Sequence, residues 1–219
     1  MSLYDLTDFL KLSAALNMQL TAEGVGWENI LRLITNRSAL NSAGEREVLR
    51  HVFEYLSGAY GLQRRRVGPP AILHPLRATA LLTQAAGKPN LLDVLTELLH
   101  DKFEDLTAEK LGPDRFAQTE AKFKSLLQAI DPTDEWYLME RLNHLTRRKH
   151  ETYYQYIGRL LHCAAQTPEL VRVKLADRLD NTLDLHIDVD DFLKETDFFR
   201  VIFQILFPPS GSGYKAGYE

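Results

Sequence analysis

Apolar residues in this chain recur at helical spacing, and no stretch sustains a period-two alternation. That contrast limits the fold more than any other feature, because side chains repeat about every 3.6 residues on a helix and every two on a strand. Leu3, Leu6, Phe9, Leu10 and Ala14 form one series, and Ile30, Leu31, Leu33 and Ile34 another. Val48, Leu49, Val52, Phe53 and Leu56 define a third, expected to end near Gly58 or Gly61. Hairpin turn pairs are scarce. The expectation is an all-α fold.

Glycine and proline divide the helices. Gly24-Val25-Gly26 separates two N-terminal helices, and Arg64-Arg65-Arg66-Val67-Gly68-Pro69-Pro70 reads as a loop. The next helix opens around His74, with Pro75 suited to its first turn, and closes at Gly87-Lys88-Pro89-Asn90. A helix over Leu91–Asp105 follows, then a break at Leu111-Gly112-Pro113. Asp131-Pro132 starts a helix, and Thr167-Pro168 starts the one carrying Asp177. Residues 1–45 are read as an N-terminal helical extension, 46–207 as the main domain and 208–219, rich in Pro, Ser and Gly, as a tail.

A chain of 219 residues that is 45% hydrophobic is large enough for a substantial core. Its 26 basic and 30 acidic residues give a net charge of −4, unlike the basic footprint of a nucleic-acid binder. The lone Cys163 excludes an internal disulfide framework and fits a reducing compartment, with core packing its expected role. No apolar run approaches the roughly 20 residues of a membrane span, and the N-terminus lacks the pattern of a secretory signal. A cytoplasmic protein without membrane or nucleic-acid partners is expected; a homo-oligomer is left open.

The polar residues that interrupt these helices carry the chemistry. Winding Leu91–Asp105 as one helix gathers Glu97, His100, Asp101 and Glu104 on one side, with Asp105 at the margin. Leu91, Leu92, Leu95, Leu98, Leu99 and Phe103 fall on the other. Like charges one turn apart cost a few tenths of a kcal/mol per pair, which a bound cation would remove. A solvated acidic face is the plainer explanation for this helix alone. Further along, Lys174, Asp177, Asn181 and Asp184 form one stripe, opposite Leu175, Ala176, Leu179 and Leu183, and the plainer expectation is again an exposed polar face. His74 stands alone by spacing. His51, His144, His150, His162 and His186 lack a matching acid context.

Taken in order, these segments resemble a known family. Arg65-Arg66-Val67-Gly68-Pro69-Pro70-Ala71-Ile72-Leu73-His74-Pro75, Leu98-Leu99-His100-Asp101-Lys102-Phe103-Glu104-Asp105 and Val173-Lys174-Leu175-Ala176-Asp177-Arg178-Leu179-Asp180-Asn181 are similar to three blocks of the RelA/SpoT hydrolase domain. That domain is one of the HD-domain metal-dependent phosphohydrolases. The resemblance spans roughly residues 50–200 and implies an HD-type helical bundle, here small and hydrolase-only. It implies that His74, His100, Asp101 and Asp177 bind one metal. Manganese is expected, with Fe²⁺, Zn²⁺, Mg²⁺ or Ni²⁺ as alternatives.

The same resemblance gives Glu104 and Asp105 the attacking water, and Arg65, Arg66, Lys174 and Asn181 the nucleotide substrate. The implied reaction removes pyrophosphate from the 3′ position of guanosine tetra- or pentaphosphate. Two imidazoles with two carboxylates suit Mn²⁺, Fe²⁺ or Zn²⁺, and arginine's planar fork suits phosphate. Three positions depart from the pattern: Lys102 replaces an apolar residue and is expected at the surface, Arg66 replaces a lysine, and Asp184 stands where threonine is usual. An acid at 184 would repel phosphate if it faced the substrate. This keeps open a different nucleotide substrate, while a silent nucleotide-binding sensor is a further alternative.

Overall fold

The computed structural model describes residues 6–21, 26–35, 40, 42–61, 63–65, 69–85 and 89–184. Arg66, His186 and the expected tail over 208–219 lie outside the described residues. Eleven helices make up the described fold. They are α1 (Leu6–Thr21), α2 (Trp27–Ile34), α3 (Ala43–Tyr60), α4 (Leu73–Ala85), α5 (Leu91–Leu99), α6 (Lys102–Asp105), α7 (Ala108–Leu111), α8 (Pro113–Leu127), α9 (Pro132–Leu145), α10 (Tyr153–Ala164) and α11 (Glu169–Asp184). No strand occurs among the described residues, so the protein is all-α; one β-bridge joins Arg64 to Pro70. No described helix is long and apolar enough to cross a membrane.

Local chemistry sets many boundaries. Ser42 with Glu45, Asn90 with Asp93 and Thr152 with Gln155 form reciprocal capping boxes at α3, α5 and α10. Asp131 caps α9, and proline opens both α8 and α9. Gly61 ends α3 at φ 54°, a backbone state that side chains with a Cβ rarely adopt. The loop before α4 is pinned by Arg65 N–H to Pro69 O (2.9 Å) and Ala71 N–H to Gln63 O (2.8 Å).

Helix α4 is the axis of the fold. Every residue from Leu73 to Thr83 is buried, as expected for a helix surrounded on all sides. It packs against α11, α5, α2 and α1. The larger apolar cluster joins α2, α3, α4, α5, α8 and α9 through residues such as Ile30, Leu56, Leu76, Leu95, Phe123 and Leu142. A smaller cluster joins α1, α4, α9, α10 and α11 through Phe9, Leu81, Leu145, Leu160 and Val173. Phe9 also lies beneath the Arg77 guanidinium, 5.3 Å from its ring centre.

Three expectations require correction. The stretch Leu91–Asp105 is not one helix. The His100 ring Nδ1 lies 2.6 Å from the Glu97 carbonyl, an acceptor that a continuing helix would offer to Asp101 N–H. The chain turns at His100-Asp101, and α6 begins afresh at Lys102, with Asp101 O accepting from Glu104 N–H and Asp105 N–H.

Lys102 is not a surface residue either, for only 3% of it is exposed. Its ammonium pairs with Glu120 at 2.8 Å and sits over the rings of Phe103 and Phe123.

Finally, the polar stripe of α11 is the side turned inward. Asp177, Asp180 and Asp184 are buried, whereas Leu175 and Leu179 are 63% and 46% exposed. The carboxylates face charged partners on α4 and the preceding loop, which outweighs the apolar preference of the opposite face.

Candidate metal centre

Two helices and the break between two others deliver one polar cluster. Helix α4 supplies His74 in its buried first turn, the break between α5 and α6 supplies His100 and Asp101, and α11 supplies Asp177. Ligand atoms of His74, His100 and Asp101 all lie within 4.8 Å of one another. The two Nε2 atoms face each other at 3.1 Å. Asp101 spans them, with Oδ2 3.2 Å from His74 Nε2 and Oδ1 3.2 Å from His100 Nε2. Asp177 Oδ1 lies 3.3 Å and 3.6 Å from the same two nitrogens.

The ordinary titration of these groups is displaced. Burial disfavours a charged His74, yet hydrogen bonding to Asp101, Asp177 and Asp180 raises its pKa to about 10. His100 is likewise raised, against burial, chiefly by Asp101. Burial pushes the Asp101 carboxyl upward, but His100 and then His74 hold it well below its usual range. Asp177 is lowered too, against burial, by both histidines and Lys174. These shifts favour protonated imidazoles beside ionised carboxylates. Two imidazole nitrogens and two carboxylates aimed at one point are also a donor set suited to a transition-metal dication, which would replace those protons.

Asp101 and Asp177 open onto a cleft of about 310 Å³. Glu104 and Asp105 from α6, Arg65 from the loop before α4, and Lys174, Arg178 and Asn181 from α11 also line it. Glu104 Oε1 accepts from the backbone N–H of Arg147 at 2.7 Å. Asp105 pairs with Lys110 at 2.6 Å. Lys174 Nζ lies 2.6 Å from Asp177 Oδ2, the oxygen not turned to the histidines. That pairing raises the Lys174 pKa despite burial. Asn181 Nδ2 donates to Asp177 Oδ1 at 2.6 Å, and its own oxygen accepts from Arg65. A larger cleft of about 550 Å³ lies between α2 and α3, where Glu28 and Glu47 accompany Arg32 and Arg46. Among the described residues its lining has no histidine and shares no residue with the cleft beside His74.

The sequence reading missed three contributors. Asp180, fully buried, lies 2.6 Å from His74 Nδ1 and accepts from Arg77 Nε at 2.8 Å. Its i+3 spacing from Asp177 was the available signal. Glu97 was placed on a solvated acidic face, but it is fully buried behind His100 without a hydrogen bond to either oxygen. Burial raises its pKa to about 8, although His100 opposes the shift. Arg178 lines the cleft with its guanidinium 4.6 Å from the centre of the Tyr153 ring.

Asp184 is 2% exposed, does not line the cleft, and pairs with Arg77 at 2.6 Å and Arg65 at 3.3 Å. The repulsion of phosphate feared from it therefore does not arise by direct contact.

Among known proteins, the chain is similar to one described as guanosine-3′,5′-bis(diphosphate) 3′-pyrophosphohydrolase, from Aquifex aeolicus (strain VF5). The two are 26% identical over 144 residues, covering 64% of this chain and 18% of the relative. The chain thus spans less than a fifth of that relative's length. No family model matches the chain, and no solved structure matches it.

Proposed function

We propose that this chain is a divalent-metal-dependent phosphohydrolase that removes the 3′-pyrophosphate of guanosine tetra- or pentaphosphate. The observation that carries the reading is the convergence of His74, His100, Asp101 and Asp177 at a cleft lined by further carboxylates and by cations. The similarity to the Aquifex pyrophosphohydrolase supports the choice of substrate.

His74 Nε2, His100 Nε2, Asp101 and Asp177 would hold the ion, with manganese favoured. When bound, it supplies Lewis-acid polarisation of a phosphoryl oxygen and an acidified water. Glu104 stands on the cleft wall to take the proton of the attacking water. Asp105, beside it, helps orient that water. Arg65, Lys174 and Arg178 offset the charge of the phosphate chain, and Asn181 contacts the nucleoside. Water adds at phosphorus, the bond from phosphorus to the 3′ oxygen breaks, and that oxygen leaves with a proton. The tetraphosphate gives GDP and pyrophosphate.

The test is incubation of metal-stripped protein with guanosine tetraphosphate, with and without Mn²⁺, followed by anion-exchange separation. Metal-dependent release of GDP and pyrophosphate is expected. Turnover confined to other nucleotides would overturn the substrate assignment. Inactivity on a broad nucleotide panel, with metal binding retained, would replace the enzyme with a sensor.

A further inference from the structure

Behind the cleft, Arg65 joins three buried charges, Arg77, Asp180 and Asp184, to which the hydrolytic reading gives no role. Arg77 and Asp180 are both fully buried, and Asp184 is 2% exposed. Arg77 donates to Asp180 through Nε (2.8 Å) and Nη2 (3.2 Å), and its Nη2 lies 2.6 Å from Asp184 Oδ1. Arg65 reaches the same carboxylates at 3.4 Å and 3.3 Å. Two guanidinium groups thus balance two carboxylates. Asp180 has one further contact, His74 Nδ1 at 2.6 Å.

We propose that Asp180 is a positioning residue for the metal centre, holding the proton of His74 on Nδ1 so that the Nε2 lone pair faces the metal. The inference rests on the metal-dependent reading above. Its geometry is specific. The ring is gripped from behind at Nδ1, while Nε2 points to His100 Nε2, Asp101 and Asp177. A carboxylate behind a metal-binding histidine selects the tautomer and raises the basicity of the ligating nitrogen. Arg77 supplies the opposite charge that makes a fully buried Asp180 tolerable. His100 is set differently, with its Nδ1 on the Glu97 backbone carbonyl. The two ligating rings are therefore aimed by different devices, and Asp180 governs only one.

The experiment measures Zn²⁺ affinity by competition with a chelating dye, using the full chain. Wild type is compared with Asp180→Asn, Asp180→Glu, Asp184→Asn and Asp101→Ala. Asp180→Asn should weaken Zn²⁺ binding about 10- to 100-fold, and Asp180→Glu should recover part of the loss. Asp184→Asn, which disturbs the ion-pair group without touching His74, should stay within about threefold of wild type. Wild-type affinity in Asp180→Asn, with binding abolished in Asp101→Ala, overturns the positioning role and leaves the metal reading standing. Equal weakening in Asp180→Asn and Asp184→Asn shows a merely structural network and also overturns it. Absence of Zn²⁺ binding by the wild type overturns both. Should Asp180→Asn not fold, long-range ¹H–¹⁵N spectra of Zn²⁺-loaded wild type decide the question. A protonated Nδ1 on His74 is expected, and a bare Nδ1 overturns the proposal.

Discussion

The Glu104 carboxylate accepts a hydrogen bond of 2.7 Å from the backbone N–H of Arg147, across 43 residues of sequence. The proposed base is therefore tied by one oxygen to the turn between α9 and α10. Glu104→Gln keeps an acceptor for that N–H but lacks a basic oxygen. It should retain stability and metal affinity while kcat falls by roughly 10²–10⁴. Equal activity in Glu104→Gln and wild type would remove Glu104 from the proton transfer.

Asp101 contacts both imidazoles, one through each oxygen. Asp101→Ala should abolish metal-dependent turnover and weaken metal binding by more than about tenfold. Calorimetric titration of the stripped variant measures this. Undiminished binding would refute the donor assignment.

In the metal-free protein, histidine pKa values lie above their ordinary value, with His74 at about 10. The folded state then binds more protons than the unfolded state. This contribution to stability is complete below the unfolded value near 6.5 and is lost as pH rises through about 10. Glu97, raised to about 8, acts in the same direction from about 4.5 upward. Denaturation of chelator-stripped protein should show stability falling from pH 6.5 to 10. Metal affinity should climb over that interval, because binding must displace the Nε2 protons. Opposite slopes in the two titrations are the expected signature, and a pH-independent metal affinity would contradict it.

Arg65 reaches Asn181, Asp180 and Asp184 at once and lines the cleft beside them. Arg65→Ala should raise KM for the tetraphosphate about 10- to 100-fold, the worth of a charge-assisted contact to phosphate. Arg65→Lys should restore little, since a single ammonium cannot reproduce the planar fork. Steady-state kinetics at saturating metal distinguishes this from a loss in kcat alone.

Lys102 offers a test of the core. Its partner Glu120 keeps a side chain 37% exposed and can return to water. Lys102→Met should therefore change stability by less than about 1 kcal/mol, the ammonium being exchanged for an apolar chain of similar length. Lys102→Ala should cost about 2 kcal/mol or more, because the stem lying against Phe103 and Phe123 is lost. Urea denaturation gives both values.

Helical periodicity made the all-α class legible, and Asp131-Pro132 marked a helix start that local chemistry fixes, whereas the caps Ser42 and Asn90 went unread. The polar residues were harder. His74, His100, Asp101 and Asp177 stand far apart in sequence, and spacing alone could not show that α4, α5 and α11 bring them together. Glu97 was misplaced for a different reason: its charge reads as a sign of solvent, although it shares a side of α5 with the buried His100. Leu175 and Leu179 look like core residues by type. Yet burying Asp177, Asp180 and Asp184 against Arg65, Arg77 and His74 turns those leucines outward. Amphipathic reasoning treats charge as a marker of solvent. It fails where buried charges meet partners from another element.

The contact between α4 and α11 carries one more consequence. His74 and Arg77 are separated by three residues on α4, as are Asp177 and Asp180 on α11. A slip of one residue between the helices would shift the contacts by about 1.5 Å and rotate the side chains by about 100°. The guanidinium of Arg77 would then lose both carboxylates inside the core, and His74 would lose both of its α11 partners. Such a misassembled packing would be costly from its first contacts. The paired charges of α4 and α11 thus specify one alignment of the two helices and disfavour its neighbours.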